Sequence, residues 1–152
     1  MMELEITVSY AQLCVFDPAI EAPYNDWTDA HVAQGFSWRP GSVSFATDGD
    51  GSPIVVHVTS AEGPPVLFDA NSAIRVPFVV SPSGAIEVGS VMSGIQAAIP
   101  PGRYALYFLT PSAPSSLFRL IFVPAEEVEP AVLKEGRNAK MQLGYLMTAA
   151  PA

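Results

Sequence analysis

The sequence predicts an all-β protein, a two-layer antiparallel β-sandwich carrying one short helix, and three observations support that expectation. From Glu3 to Tyr10 every even position is apolar and every odd one polar, the period of a half-buried strand. Further runs, most of them four to seven residues long and rich in Val, Ile, Phe and Tyr, are separated by turn-forming residues. Charged residues make up only 14% of the chain against about 25% in average domains, while prolines number 15. A sheet must bury one face against a second layer, so many short strands imply a sandwich, with a partly closed barrel as the alternative.

After the strand at Glu3 to Tyr10, candidates follow at Leu13 to Phe16, Ser42 to Ala46, Ile54 to Thr59, Ile74 to Val80, Ala85 to Val88, Ile95 to Ile99, Arg103 to Leu109 and Leu117 to Val123. Between the second and third lies the helix. Asp26 is its N-cap type residue, Asp29 a second carboxylate three residues on, and Gly35 its stop. Ser81-Pro82-Ser83-Gly84 has the type I turn preferences and predicts that strand 74–80 folds back on 85–88. Pro100-Pro101-Gly102-Arg103 has the type II preferences and joins 95–99 to 103–109. Pro77 cannot donate a ladder hydrogen bond, which places its strand at an edge or a bulge. Met141 to Leu146 is apolar enough for a last strand, and Thr148 to Ala152 reads as a frayed end. Residues 1–125 form the sandwich domain, and 126–152 a C-terminal extension that adds a last strand to it.

Seven basic and 15 acidic residues give a formal charge of −8, which argues against a protein that neutralises nucleic-acid phosphates with Lys and Arg. The mean hydropathy of +0.30 invites a membrane reading. The longest charge-free stretches, Val88 to Gly102 and Tyr104 to Phe118, reach only 15 residues and contain proline and serine, too short for a spanning helix. The start Met1-Met2-Glu3-Leu4-Glu5 lacks the basic and apolar regions of a secretion signal, and a single cysteine agrees with a reducing compartment. A cytoplasmic protein is expected, one that reaches a membrane only through a partner.

Asp48-Gly49-Asp50-Gly51-Ser52 resembles the start of a calcium loop, yet Thr59 stands where the twelfth-position Glu belongs, so a hairpin tip is the reading. Asp26, Asp29 and His31 do not all share one helix face, and the carboxylates already have a structural task as caps. His57 alternates with Val56 and Val58 and points to the polar face of its strand. Cys14, in an apolar run without a neighbouring cation, reads as a buried inert thiol. Nucleophile elbow, phosphate-cradling loop and zinc-ligand motifs are lacking, so no cofactor, metal or catalytic residue is expected. Trp27, Phe36 and Trp38 crowd the helix region, with Trp38 in an expected loop. Packing is their default role, though Trp is also enriched in binding hot spots. Glu126, Glu127 and Glu129 form the densest acidic run, which on a charge-poor chain concentrates negative potential.

Asp26-Trp27-Thr28-Asp29, Gly35-Phe36, Gly41-Ser42-Val43-Ser44-Phe45, Val76-Pro77-Phe78-Val79-Val80, Gly84, Ser90-Val91-Met92-Ser93 and Pro101-Gly102-Arg103-Tyr104 occur in an order and spacing that resemble the competence protein J (ComJ) family. The resemblance spans roughly residues 4 to 110. It implies a non-enzymatic protein that binds and blocks a metal-dependent, non-specific DNase of the DNA-entry type, in a regulatory or immunity role. An acidic inhibitor suits such a partner, whose DNA-binding cleft is cationic. Asp26, Trp27, Asp29 and Trp38 are the expected contact surface, and Glu126, Glu127 and Glu129 a second candidate. Two other functions compete: a sandwich that binds a small ligand such as a carbohydrate, and an assembly subunit that adds a strand at the Pro77 edge.

Overall fold

The computed structural model describes residues 1–48, 51–91, 93–112 and 117–152. One sheet has six strands in the order β1 (Met2–Thr7), β5 (Pro53–Ser60), β10 (Leu117–Pro124), β9 (Gly102–Pro111), β6 (Ala70–Val80) and β11 (Ala131–Lys134). The other has five, in the order β3 (Phe36–Arg39), β4 (Ser42–Ala46), β2 (Gln12–Phe16), β7 (Ala85–Ser90) and β8 (Ser93–Ala98). Pairing is antiparallel except between β5 and β10, which run parallel with Leu117 opposite Val55. The architecture is the expected sandwich, and no sheet closes into a barrel.

Alternation builds the core. Leu4 and Ile6 of β1 and Ile54, Val56 and Val58 of β5 point inward, while Glu3 pairs with His57 on the outer face at 2.8 Å. Phe45 of the smaller sheet stacks on Phe108 of the larger with ring centroids 4.4 Å apart. Burying each such side chain is worth about 1.5–3 kcal/mol. A second apolar cluster occupies the other face of the six-stranded sheet, where Ala105, Tyr107, Leu109, Ile121 and Val123 are covered by Leu67, Ala125 and Val128. This explains why β9 is apolar on both faces and shows no alternation.

The turns carry the chief topological correction. The Gly84 N–H does donate to the Ser81 carbonyl at 2.9 Å, as the turn residues predict. The turn nevertheless carries the chain from β6 in the larger sheet to β7 in the smaller, so these strands are not a hairpin. The Pro100–Arg103 link likewise passes from β8 to β9, between sheets. Gly102 has φ 151°, far from the value near +80° that a type II turn needs. Turn propensity reports a reversal of the chain, not which sheet receives it.

Pro77 lies on an inner strand of the sheet order, but β11 pairs only with Ala73, Ile74 and Arg75, so β6 is the sheet margin from there on. The missing N–H costs no ladder bond at that place. The strand added by the extension is β11, at 131–134; residues 141–146 form no strand. The end of the chain is tied down instead of frayed. Asp26 N–H donates to the Ala150 carbonyl (2.8 Å) and Ala152 N–H to the Tyr24 carbonyl (2.9 Å).

Candidate functional site

Segment 24–28 crosses the outer face of the five-stranded sheet and is fixed there by polar bonds. Buried Asn25 donates through Nδ2 to the carbonyls of Ser37 (2.8 Å) and Ser42 (3.2 Å), and Ser37 Oγ donates to the Asp26 carbonyl (2.7 Å). With both backbone groups of Asp26 engaged, the chain stays extended there and the helix starts later than expected. Helix α1 is Asp29–Gln34, its N-cap is Thr28, and Gly35 closes it with φ 85°. A Cβ on Gly35 would come within 2.4 Å of the Asn138 carbonyl oxygen, so the C-terminal extension packs directly on the helix stop.

His31 links helix and tail. Its Nδ1 accepts from Thr28 N–H (2.9 Å), which leaves the proton on Nε2, the donor to the Thr148 carbonyl (2.8 Å). Gln34, fully buried, exchanges bonds with both backbone groups of Leu146 (2.9 and 3.0 Å). These two helix residues are therefore structural.

The expected contact residues fall on different surfaces. Asp26 and Asp29 are exposed, and neither forms an ion pair among the described residues. Trp27 is half-buried, its Nε1 donating to Gln12 Oε1 (3.1 Å) and its ring meeting His31 edge-on. Trp38 lies not in a loop but on β3, and its Nε1 donates to the Pro77 carbonyl (2.7 Å), joining the margins of the two sheets. Glu126, Glu127 and Glu129 are exposed on the opposite outer face, where Val128 packs on the second apolar cluster. The structure brings Asp26, Trp27 and Asp29 together and places the glutamates across the sandwich from them.

Asp48 is engaged with the extension, accepting from Asn138 Nδ2 (2.9 Å) and lying 3.8 Å from Arg137; Gly49 and Asp50 of that loop are outside the described residues. Cys14 is fully buried, 3.4 Å from Ser44 Oγ. Burial pushes its thiol up to about 11, the Ser44 hydrogen bond partly opposing.

Sequence reasoning missed one feature beside Trp27. Alternation places Tyr10 inward, but it is 70% exposed, at the tip of a tight turn from β1 to β2 in which Tyr10 and Ala11 have φ 55° and 51°. Two successive non-glycine residues in this region cost roughly 1–2 kcal/mol each. Ser90, 1% exposed, holds the turn closed: its Oγ accepts from Ser9 N–H (2.8 Å) and reaches the carbonyls of Ser9 (2.8 Å) and Gln12 (2.7 Å). The side chains in the main core are even up to Val8 and odd at Leu13 and Val15, but Leu13-Cys14-Val15-Phe16 is apolar throughout, so this change of phase leaves no mark in the sequence. Tyr10, Ala11, Trp27 and Val32 line one shallow depression of about 410 Å³, and Val32 is 61% exposed.

The competence protein J (ComJ) family profile matches residues 5–123 of the chain. A similar solved structure is the crystal structure of ComJ, inhibitor of the DNA degrading activity of NucA, from Bacillus subtilis. It superposes with a TM-score of 0.69 at 23% identity, covering 82% of this chain and 96% of that one. No curated protein sequence matches the chain.

Proposed function

Because the chain belongs to the competence protein J family, we propose that it is a protein inhibitor that binds a metal-dependent, non-specific DNase of the DNA-entry type and blocks it, without catalytic activity of its own. The match of the family profile over residues 5–123 carries this reading. The likeness to a solved inhibitor of a DNA-degrading activity supports it. So does the charge: an excess of eight negative charges opposes the cationic surface with which a nuclease holds phosphates. At 152 residues that density is too low for mimicry of DNA phosphates along a whole face. A mixed interface fits better, with apolar contact at its centre and a few carboxylates such as Asp26 and Asp29 on its rim.

Among the described residues no helix is long and apolar enough to cross a membrane. The cytoplasm is the compartment that fits a chain with one buried free thiol. There it acts either as a regulator of DNA uptake or as immunity against a nuclease.

The test mixes purified protein with a DNA-entry-type DNase from the same organism, and in parallel with NucA, and follows plasmid degradation. Protection at a near-stoichiometric ratio, together with a complex on size exclusion, is the expected outcome. Full degradation with no complex at micromolar concentrations of both, for both nucleases, overturns the reading.

A further inference from the structure

We propose that the Tyr10–Ala11 turn, with the adjoining faces of Trp27 and Val32, is the anchor by which this chain docks on the cationic, DNA-facing surface of its nuclease. The site rests on the inhibitor reading above.

Three observations converge on it. Tyr10 and Val32 are large apolar side chains left 70% and 61% exposed around one depression. Half-buried Trp27 lines it as well, and aromatic residues of this kind are the usual centres of protein interfaces.

The second observation is rigidity. The left-handed pair at Tyr10 and Ala11 persists because Ser90 clamps both ends of the turn, Thr47 N–H donates to the Ala11 carbonyl (2.8 Å), and Trp27 bonds the Gln12 side chain. Strained backbone held in place by its surroundings concentrates at functional sites. An aromatic ring on a backbone already fixed loses little further freedom on binding.

Charge decides the partner. Asp26 adjoins Trp27 in the chain and Asp29 stands three positions before Val32, on the same helix face; both are exposed, and neither has an ion-pair partner among the described residues. Arg137, next in the chain to the lining residue Asn138, is matched by Asp48 at 3.8 Å. A second exposed apolar pair, Val66 (80%) and Phe68 (86%), has cations beside it: Lys134 Nζ bonds the Phe68 carbonyl, and Arg119 lines the neighbouring hollow together with Asp69. That pair suits a cationic partner poorly.

Tyr10→Gly separates binding from folding, because glycine adopts positive φ without strain. The variant is expected to melt no lower than the parent chain. Its affinity for the DNA-entry-type DNase that the parent inhibits should fall by about 30-fold or more, as for a hot-spot aromatic. Val32→Ala should weaken binding in the same direction, and Phe68→Ser should leave inhibition unchanged. Undiminished inhibition by Tyr10→Gly, or its loss in Phe68→Ser, overturns the assignment while the inhibitor reading stands. A parent chain that neither binds nor inhibits overturns that reading, and the anchor with it.

Discussion

Cys14 shows how burial can outweigh a hydrogen bond in setting the chemistry of a side chain. The thiol is fully buried beside Ser44, and no cation among the described residues pulls it toward a thiolate. Its pKa rises from 9.0 to about 11, chiefly through burial. The folded chain therefore keeps its proton in a range where the unfolded chain has lost it. Stability is complete below pH 9 and falls as the pH rises toward 11, since the unfolded state there binds fewer protons than the folded one. A shift of this size corresponds to about 2–3 kcal/mol. Urea unfolding at pH 8 and at pH 11 is expected to show that extra loss in the parent chain relative to Cys14→Ala, with every contribution common to both chains cancelling in the difference. Equal pH slopes for the two chains contradict the assignment, as does rapid alkylation of the native thiol at pH 8.

Among the elements, the C-terminal segment contributes most that sequence patterning did not show. Tyr145 packs its ring on Phe36 at 5.9 Å, while its hydroxyl accepts from the N–H groups of Val132 and Gln142 at 3.1 Å each. One side chain thus joins β11, the tail and the core. Tyr145→Ala removes a half-buried ring and leaves Val132 N–H without its partner, at a cost of about 2–3 kcal/mol. Hydrogen exchange in β11 and α1 should accelerate while β9 and β10 stay protected. Leu143→Ala, at a fully exposed side chain two residues earlier, is expected to leave denaturant midpoint and exchange unchanged. A frayed tail requires both substitutions to be silent. The sequence hid this because the tail is secured by backbone carbonyls meeting His31 and Gln34, and such contacts carry no periodic pattern. The strands were legible for the opposite reason: Leu4, Ile6 and Val8, then Ile54, Val56 and Val58, repeat every second residue because one face of each strand is buried. Tyr10 misled because Tyr-Ala has none of the Asn or Gly preference that normally announces a left-handed turn pair.

At the scale of the whole molecule, the sign of the charge was legible in composition, but its distribution depends on topology. Glu126–Glu129 follows β10 and covers the outer face of the six-stranded sheet, whereas Asp26 and Asp29 sit on the outer face of the five-stranded one. Two packed sheets are about 10 Å apart even before the covering segments are added. The Debye length at physiological salt is about 8 Å, so a partner on one face is largely screened from the carboxylates of the other. The two acidic regions therefore act as alternatives in steering and do not add. If the nuclease approaches the face with Tyr10, the doubly neutralised chain Asp26→Asn, Asp29→Asn should associate several-fold more slowly in stopped-flow mixing at 0.15 M salt. The triple substitution of Glu126, Glu127 and Glu129 by Gln should change that rate little. Raising the salt should slow the parent chain toward the rate of the double variant, because steering is what salt removes. The reverse ranking of the two variants places the encounter on the six-stranded sheet, and association rates independent of salt in every chain remove electrostatic steering from the mechanism while leaving the apolar anchor to account for binding.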